Sequence, residues 1–598
     1  MKRYTASFLA AAMLLSLTAC GEPASQVTEQ PTAQHSETAQ PVQPVASAAP
    51  DVSVIEAPAE EPDTIIAHSD NDMFTDRDYE IGYSDYVTVT LKETSAEADG
   101  AGAEIDGSTV TITQQGSYVL TGPLTGQIVV DAAETDKVQL VLDNASIENQ
   151  GSAAIYIKNA DKVFLTTARD STNTLSAAGE FVQSDDNNVD GAVFAKADLT
   201  LNGAGSLIVD SEAGHGIVTK DDLKLTSGSY DITAANQGLS GKNSIRVSGG
   251  EIAIDSGTDG MHSEHAEDPE KGFIYIIGGS FQLTCGNDAL DASGALTVEG
   301  GTFQLVTNGG AENAPVHIET RMGGPFPTGD QETDLDELTS DSYKGLKAGS
   351  IQISGGSFQI DTADDALHSA GALDINGGDF SITTGDDGLH ADVRLSISGG
   401  DIVINSCYEG VESETIDVSG GTIHVTASDD AFNASGSNPA LNISGGELQI
   451  ISGGDSLDSN GSCYVSGGTI QISGPDNGGN GVLDCDYTLE ISGGTLMGTG
   501  AMGMNQNFGA TSTQCSILTD LTAPQEAGAT VTLTDSSGAV LAEYTPEKAY
   551  QSVLISTPDL QVGQTYTITA GTETVTLELT DTIYGTGGGF GGGHGRMF

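Results

Sequence analysis

The chain has no tryptophan, and aromatic residues make up only 5% of its 598 residues. Any stacking contact with a ligand therefore falls to smaller rings, chiefly its tyrosines. Basic residues are scarce: 20 Lys and Arg stand against 85 Asp and Glu, a net charge of −65. That imbalance opposes compaction and excludes nucleic acid as a partner. Between Leu395 and Cys515 there is no Lys or Arg at all. No segment of helical length carries a 3.6-residue apolar period, which argues against helices. No glycine-rich phosphate loop stands out, so no nucleotide is expected, and no nucleophile motif is present. The apolar stretch Phe8–Leu17, roughly ten residues, is too short to span a bilayer.

Glycine, in contrast, is abundant, with 78 residues. From Gly355 to Gly421 the chain can be written as three copies of one pattern: GGSFQIDTADDALHSAGALDIN, GGDFSITTGDDGLHADVRLSIS and GGDIVINSCYEGVESETIDVS. Within a copy Phe358 and Ile360, then Leu373 and Ile375, alternate with polar residues, which is strand patterning. A fixed period of about 22 residues signals a solenoid whose units bury their apolar faces only against neighbours. Short strands with Gly-Gly at one corner describe the coils of a parallel β-helix. Gly is required there because a tight corner needs positive φ.

The remainder is organised around these coils. Lys2 and Arg3, the apolar run and Leu17-Thr18-Ala19-Cys20 resemble a lipoprotein signal peptide over 1–19. An ordinary secretory signal is the alternative, but cysteine directly after such a box favours lipidation of Cys20 and an extracytoplasmic protein anchored to the cell membrane. Residues 20–63, rich in Pro, Ala, Gln, Glu, Ser and Thr, form a disordered tether. Residues 64–190 are expected to be an N-terminal β-cap with the first coils, and 191–515 the regular β-helix with a loop insertion at 309–343. A C-terminal β-cap over 516–584 and a Gly-rich disordered tail over 585–598 complete the all-β chain.

Each regular coil carries a second signature, as in Asp364-Asp-Ala-Leu-His and Asp386-Asp-Gly-Leu-His. Its second position is acidic throughout: Asp259, Asp288, Asp365, Asp387, Glu409, Asp430 and Asp455. The preceding position adds Asp364, Asp386 and Asp429; three residues after the acid come Asp291, Glu412 and Asp458. Equivalent positions of successive coils stack about 4.8 Å apart, where like charges repel by roughly 1 kcal/mol even in water. Rows of hard oxygens on a rigid frame suit Ca²⁺, and these acids are the expected metal ligands. The alternative is an acidic, solvated edge. His262, His368 and His390 share one position, which suggests zinc, but only the last two stack 22 residues apart and Asp291 and Glu412 occupy the same row, which favours a polar row over a zinc site.

The SGG corners, the stretch Asp259–Gly272, YKGLKAGSIQISGG and QSVLISTPDLQVGQTYTITAG together resemble the secreted calcium-binding parallel β-helix proteins of clostridia and relatives, which bind cellulose and pectin-like polysaccharide. The resemblance implies a right-handed helix, bound calcium and non-catalytic binding of an acidic, pectin-like or cellulosic polysaccharide at the cell surface. It extends to pectate lyases, so a calcium-dependent polysaccharide lyase stays an alternative, as does a structural surface spacer or adhesin.

A lyase of this type needs a Lys or Arg to remove a proton α to a uronate carboxylate. The candidates are Lys196, Lys220 and Lys242 with Arg246, or Arg394, but lysines beside Asp198, Asp221 and Asp222 read as structural ion pairs. For ligand contact the candidates are Tyr408, Tyr464, Tyr487, Lys220 and Lys242. Beyond Cys20 five cysteines remain, an odd number, and buried thiols are expected.

Overall fold

The computed structural model describes residues 73–314 and 342–585. The signal peptide, Cys20, the tether, the central part of the 309–343 insertion and the tail after Gly585 lie outside the described residues. What is described is all-β: among these residues the only helical segments are two short 3-10 turns, Asp76–Asp78 and Ala311–Asn313.

The strands pair in parallel with partners one repeat away. One run of neighbours passes through Ser229–Ala234, Glu251–Ser256, Ser280–Cys285, Thr302–Thr307, Ser357–Thr362 and Asp379–Thr384. In each of these six strands alternate residues are buried, as the period-two pattern requires. Register places like on like: Phe281, Phe303, Phe358 and Phe380 stack with ring centroids 4.6 Å apart and planes within 2–3°. Two residues further on, Leu283, Leu305, Ile360 and Ile382 form the adjoining buried row. These rows join one continuous apolar core from Val89 to Leu554.

The Gly-Gly corner uses its two glycines for different reasons. At Gly377 a Cβ would meet the backbone oxygen of Ser354 at 2.7 Å, so the close approach of two turns excludes any side chain. Gly378 has φ +105°, a conformation that L-residues rarely adopt.

Parallel pairing already joins Gly116–Thr125, Lys137–Asn149 and Lys162–Thr167, upstream of the clean repeats. At the far end Tyr550–Ser556 runs antiparallel to both Thr495–Gly500 and Ser516–Gln525. A separate antiparallel sheet of Val540–Tyr544, Val531–Asp535, Thr565–Ala570 and Glu573–Glu578 follows. The five cysteines among the described residues are all buried and unpaired.

Candidate functional site: a stacked row of buried acids

The acidic signature sits where the chain enters a short strand, and backbone hydrogen bonds thread it from turn to turn. Gly238, Gly260, Ala289, Gly345, Ala366, Gly388, Gly410 and Ala431 donate their N–H groups to the carbonyls of Asp259, Asp288, Lys344, Asp365, Asp387, Glu409, Asp430 and Asp455, respectively. The apolar residues next to the row anchor it: Leu290, Leu346, Leu367, Leu389 and Val411 are in register and fully buried.

One member of this row is not an acid. Lys344 occupies the position between Asp288 and Asp365, and Lys347 stands between Asp291 and His368 in the row three residues on. The spacing of Lys344-Gly-Leu-Lys repeats that of Asp365-Ala-Leu-His, so the signal was present in the sequence. A pattern defined by acids passes over a turn that substitutes lysine and follows a long insertion.

The lysines divide the row. Lys344 Nζ lies 2.6 Å from Asp364 Oδ1 and 3.0 Å from Asp365 Oδ2. Asp288 accepts from Ser342 Oγ at 2.8 Å, from the Lys344 backbone at 2.7 Å and from Lys347 Nζ at 3.1 Å. Burial alone would raise Asp365, but Lys344 and then His368 and His390 outweigh it and hold the carboxyl below its ordinary range. Burial would likewise lower Lys344, and Asp365 and Asp364 outweigh it, so the ammonium is held protonated. Lys347 is raised in the same way by Asp288 and Asp291.

Beyond Lys344 the balance reverses. Burial, then Asp387 and Asp365, push Asp386 up to about 10. Burial and neighbouring acids push Asp430 to about 9, Asp458 to about 8 and Asp455 to about 7. Asp387 and Glu409, each only 5% exposed, are driven well above their ordinary values, again by burial first. At the near end Asp259 rises to about 6 through burial and the charges of Asp291 and Asp288.

Histidines bridge part of the row. His390 Nδ1 lies 2.8 Å from Asp387 Oδ2 and 3.2 Å from Glu412 Oε2, and its Nε2 is 3.3 Å from Asp392 Oδ1. His368 Nδ1 is 2.8 Å from Asp365 Oδ2, and the two imidazoles stack at 4.7 Å. His262 Nδ1 is 2.8 Å from Asp291 Oδ2. Ring nitrogens aimed at carboxylates along the stack are the geometry of a hydrogen-bonded polar row.

The donors gathered here fit a hard cation. Ligand atoms of Asp387, His390 and Glu412 lie within 4.8 Å of one another, as do those of Asp364, Asp365 and Asp386, the first two of which already hold the Lys344 ammonium. Asn433 donates from Nδ2 to Glu409 Oε2 at 2.9 Å, while its Oδ1 is buried with no hydrogen-bond partner. An orphaned carbonyl oxygen among crowded carboxylates is a donor set suited to Ca²⁺. Asp429 stands one residue before Asp430 at the same edge.

Of the other candidates only Tyr408 adjoins the row. Lys220 pairs with Asp190 at 3.7 Å and sits 5.2 Å over the Phe194 ring, rather than on Asp221 or Asp222. Lys196 Nζ donates to Asn187, and Lys242 is exposed. Arg246 pairs with Asp222 at 2.9 Å and Arg394 with Asp374 at 2.8 Å. Tyr408 adjoins the acids, its N–H bonded to the Asp386 carbonyl, whereas Tyr464 and Tyr487 lie exposed in later turns.

A protein of Acetivibrio thermocellus named "carbohydrate-binding domain-containing protein" is 37% identical over 136 residues, 22% of this chain and 48% of that relative; the matched region thus spans about half the relative's length. A solved structure titled "polysaccharide lyase-like protein from C. thermocellum, Gadolinium derivative" is 33% identical with a TM-score of 0.37, over 38% of this chain and 92% of the other. The family model for carbohydrate-binding domain-containing proteins matches residues 106–388 and 387–587, well over half of the chain, and the chain belongs to that family.

Proposed function

We propose that this chain is a right-handed parallel β-helix that binds polysaccharide without transforming it, using calcium held along the acidic row. The observation that carries the reading is the run of buried and half-buried carboxyls from Asp386 onward. Asp386, Asp387, Glu409, Asp430 and Asp455 are forced toward neutrality by burial first and then by neighbouring acids. Asp386, Asp387, Glu409, Glu412 and Asn433 would hold the cation. When bound, Ca²⁺ would supply counter-charge and open positions for sugar oxygens. The residues themselves provide a rigid oxygen array whose spacing is set by strand stacking.

A lyase reading is disfavoured by the cations nearest the acids. A general base must give up its proton near neutral pH, yet Lys344 and Lys347 are both held as ammonium ions by adjacent aspartates. The lipid expected at Cys20 would place the binding body at the outer side of a membrane, reached through the tether.

The test is calcium titration by calorimetry, followed by binding to polygalacturonate and to a neutral glucan with and without EDTA. Asp387→Asn is expected to weaken calcium binding at least tenfold and to remove the EDTA sensitivity of the melting transition, while Asp76→Asn leaves both unchanged. Melting that ignores EDTA across a range of pH defeats the calcium reading. Absorbance at about 235 nm from unsaturated uronates would establish the lyase instead.

A further inference from the structure

The segment Met73–Tyr86 lies across the outside of the parallel strands, and its anchorage is unusually strong. Asp78 is fully buried: Oδ1 is 2.6 Å from Lys162 Nζ and accepts from Thr200 Oγ1 at 2.8 Å. Its Oδ2 is 3.6 Å from Lys224 Nζ and accepts from Thr75 N–H and Oγ1. Its backbone carbonyl accepts from Asn202 Nδ2 at 3.0 Å and from Thr226 Oγ1 at 2.9 Å. Arg246 Nη1 donates to the Met73 carbonyl, and Arg77 lies 4.3 Å over the Phe164 ring. Partners 62 to 173 residues away therefore clamp one end of the segment. The other end enters the strand Val87–Lys92, which pairs in parallel with Gly116–Thr125.

Between these fixed ends the chain exposes three tyrosines within eight residues: Tyr79 at 50%, Tyr83 at 37% and Tyr86 at 49%. Tyr83 and Tyr86 form an edge-to-face pair with centroids 5.4 Å apart and planes at 75°. Such a pair leaves ring surface open on the solvent side. Between them Asp85 takes φ +49°, a left-handed conformation uncommon for a non-glycine residue. Tyr79 rests against Phe74 at 5.9 Å. Elsewhere the described surface shows only two exposed aromatic residues, Tyr464 and Tyr487. Scattered exposed apolar residues need no explanation, but rings clustered on a segment held at both ends are the form of a binding surface.

We propose that Tyr79, Tyr83 and Tyr86 form a sugar-stacking platform for a neutral pyranose polysaccharide, separate from the acidic row and independent of calcium. This rests on the carbohydrate-binding reading above and assigns it a second site. Aromatic faces pack against the apolar C–H faces of pyranose rings and cost little conformational entropy because each tyrosine has two side-chain torsions. Charge selects the ligand class. Glu80 and Asp85 are exposed within the platform, while Arg77 is already engaged by Phe164, Gln139 and Glu80. A polyuronate would meet the exposed Asp85 carboxylate and a Glu80 only partly offset by Arg77, whereas a neutral chain meets no such repulsion.

The absence of tryptophan makes tyrosine emission directly readable. The full chain in EDTA is titrated with neutral hexasaccharides of β-1,4-linked glucose, mannose and xylose, and with a galacturonate hexasaccharide, by tyrosine fluorescence and calorimetry. At least one neutral sugar is expected to bind in EDTA and to perturb the emission, with the galacturonate weaker by at least tenfold. Tyr83→Ala/Tyr86→Ala is expected to weaken neutral binding at least tenfold at unchanged circular dichroism, and Tyr83→Phe/Tyr86→Phe to restore it, since the ring face rather than the hydroxyl makes the contact. Neutral binding that survives the alanine pair, or that requires calcium and Asp387, overturns the platform while leaving the carbohydrate-binding reading intact. Absence of binding to any sugar, with or without calcium, overturns both.

Discussion

Lys344 is the sharpest point of leverage on the acidic row. Its side chain is 12% exposed and the carboxyls it meets are 1% and 4% exposed, so Lys344→Met leaves Asp364 and Asp365 buried without their cation. Removing one partner of a buried pair costs about 3–5 kcal/mol, because the remaining charge stays desolvated. Each turn is paired chiefly with its neighbours, so the loss should be local rather than spread over the chain. Hydrogen exchange is the fitting assay. Amides of Leu346–Ile353 and Leu367–Ser369 should lose protection by about 10²–10⁴-fold, whereas those of Ser229–Ala234 stay unchanged. The pH dependence has a definite sign. In the folded wild type the Asp365 carboxyl is held below its free value of 3.8, so its stabilisation is present above that pH and is lost as pH falls through the folded value. The deficit of the variant should therefore be full at pH 7 and shrink as pH drops below about 4. Lys344→Met/Asp365→Asn should recover part of the loss, because the amide keeps an oxygen for the Asp387 N–H. A deficit smaller than about 1 kcal/mol at pH 7, or one that does not change on acidification, would refute the reasoning.

Without metal the part of the row from Asp386 onward should behave oppositely to an ordinary acidic surface. Asp386, Asp430 and Asp458 have folded values near 10, 9 and 8, above their free values, so their contribution is complete in acid and is lost as pH rises toward those values. The EDTA-treated protein should melt higher at pH 5 than at pH 8, and calcium should stabilise it more at pH 8; a flat or inverted profile by calorimetry counts against the crowding argument. Phe303→Ala removes the ring stacked between Phe281 and Phe358 and should cost about 3–5 kcal/mol in urea unfolding, with Phe303→Leu costing less. Gly378→Ala forces a side chain onto φ +105° and within 3.1 Å of the Phe380 ring, so a loss of about 1–3 kcal/mol is expected; an unchanged unfolding curve would show that the corner relaxes freely.

Much of this architecture is written in local sequence because each turn repeats the same local problem. Alternation of Phe358 and Ile360 with polar residues dictates strands with one buried face, and Gly377-Gly378 dictates a corner whose second position needs positive φ. Once the period is known, register follows, and with it the alignment of Asp365, Asp387, Glu409, Asp430 and Asp455 along one edge. What the tertiary structure alone decided involves partners that no period connects. The 309–343 insertion interrupts the period, so the pairing of Lys344 and Lys347 with the acidic row rests on Leu346 lying in register with Leu290 and Leu367. Asp78 offers no repeat, and its burial between Lys162 and Lys224 depends on a segment crossing strands from distant parts of the chain. Exposure of Tyr79, Tyr83 and Tyr86 likewise depends on how that segment lies on the strands beneath it. Short-range chemistry determines the repeat; the distribution of charge and open surface around it is set by long-range docking, which sequence spacing does not encode.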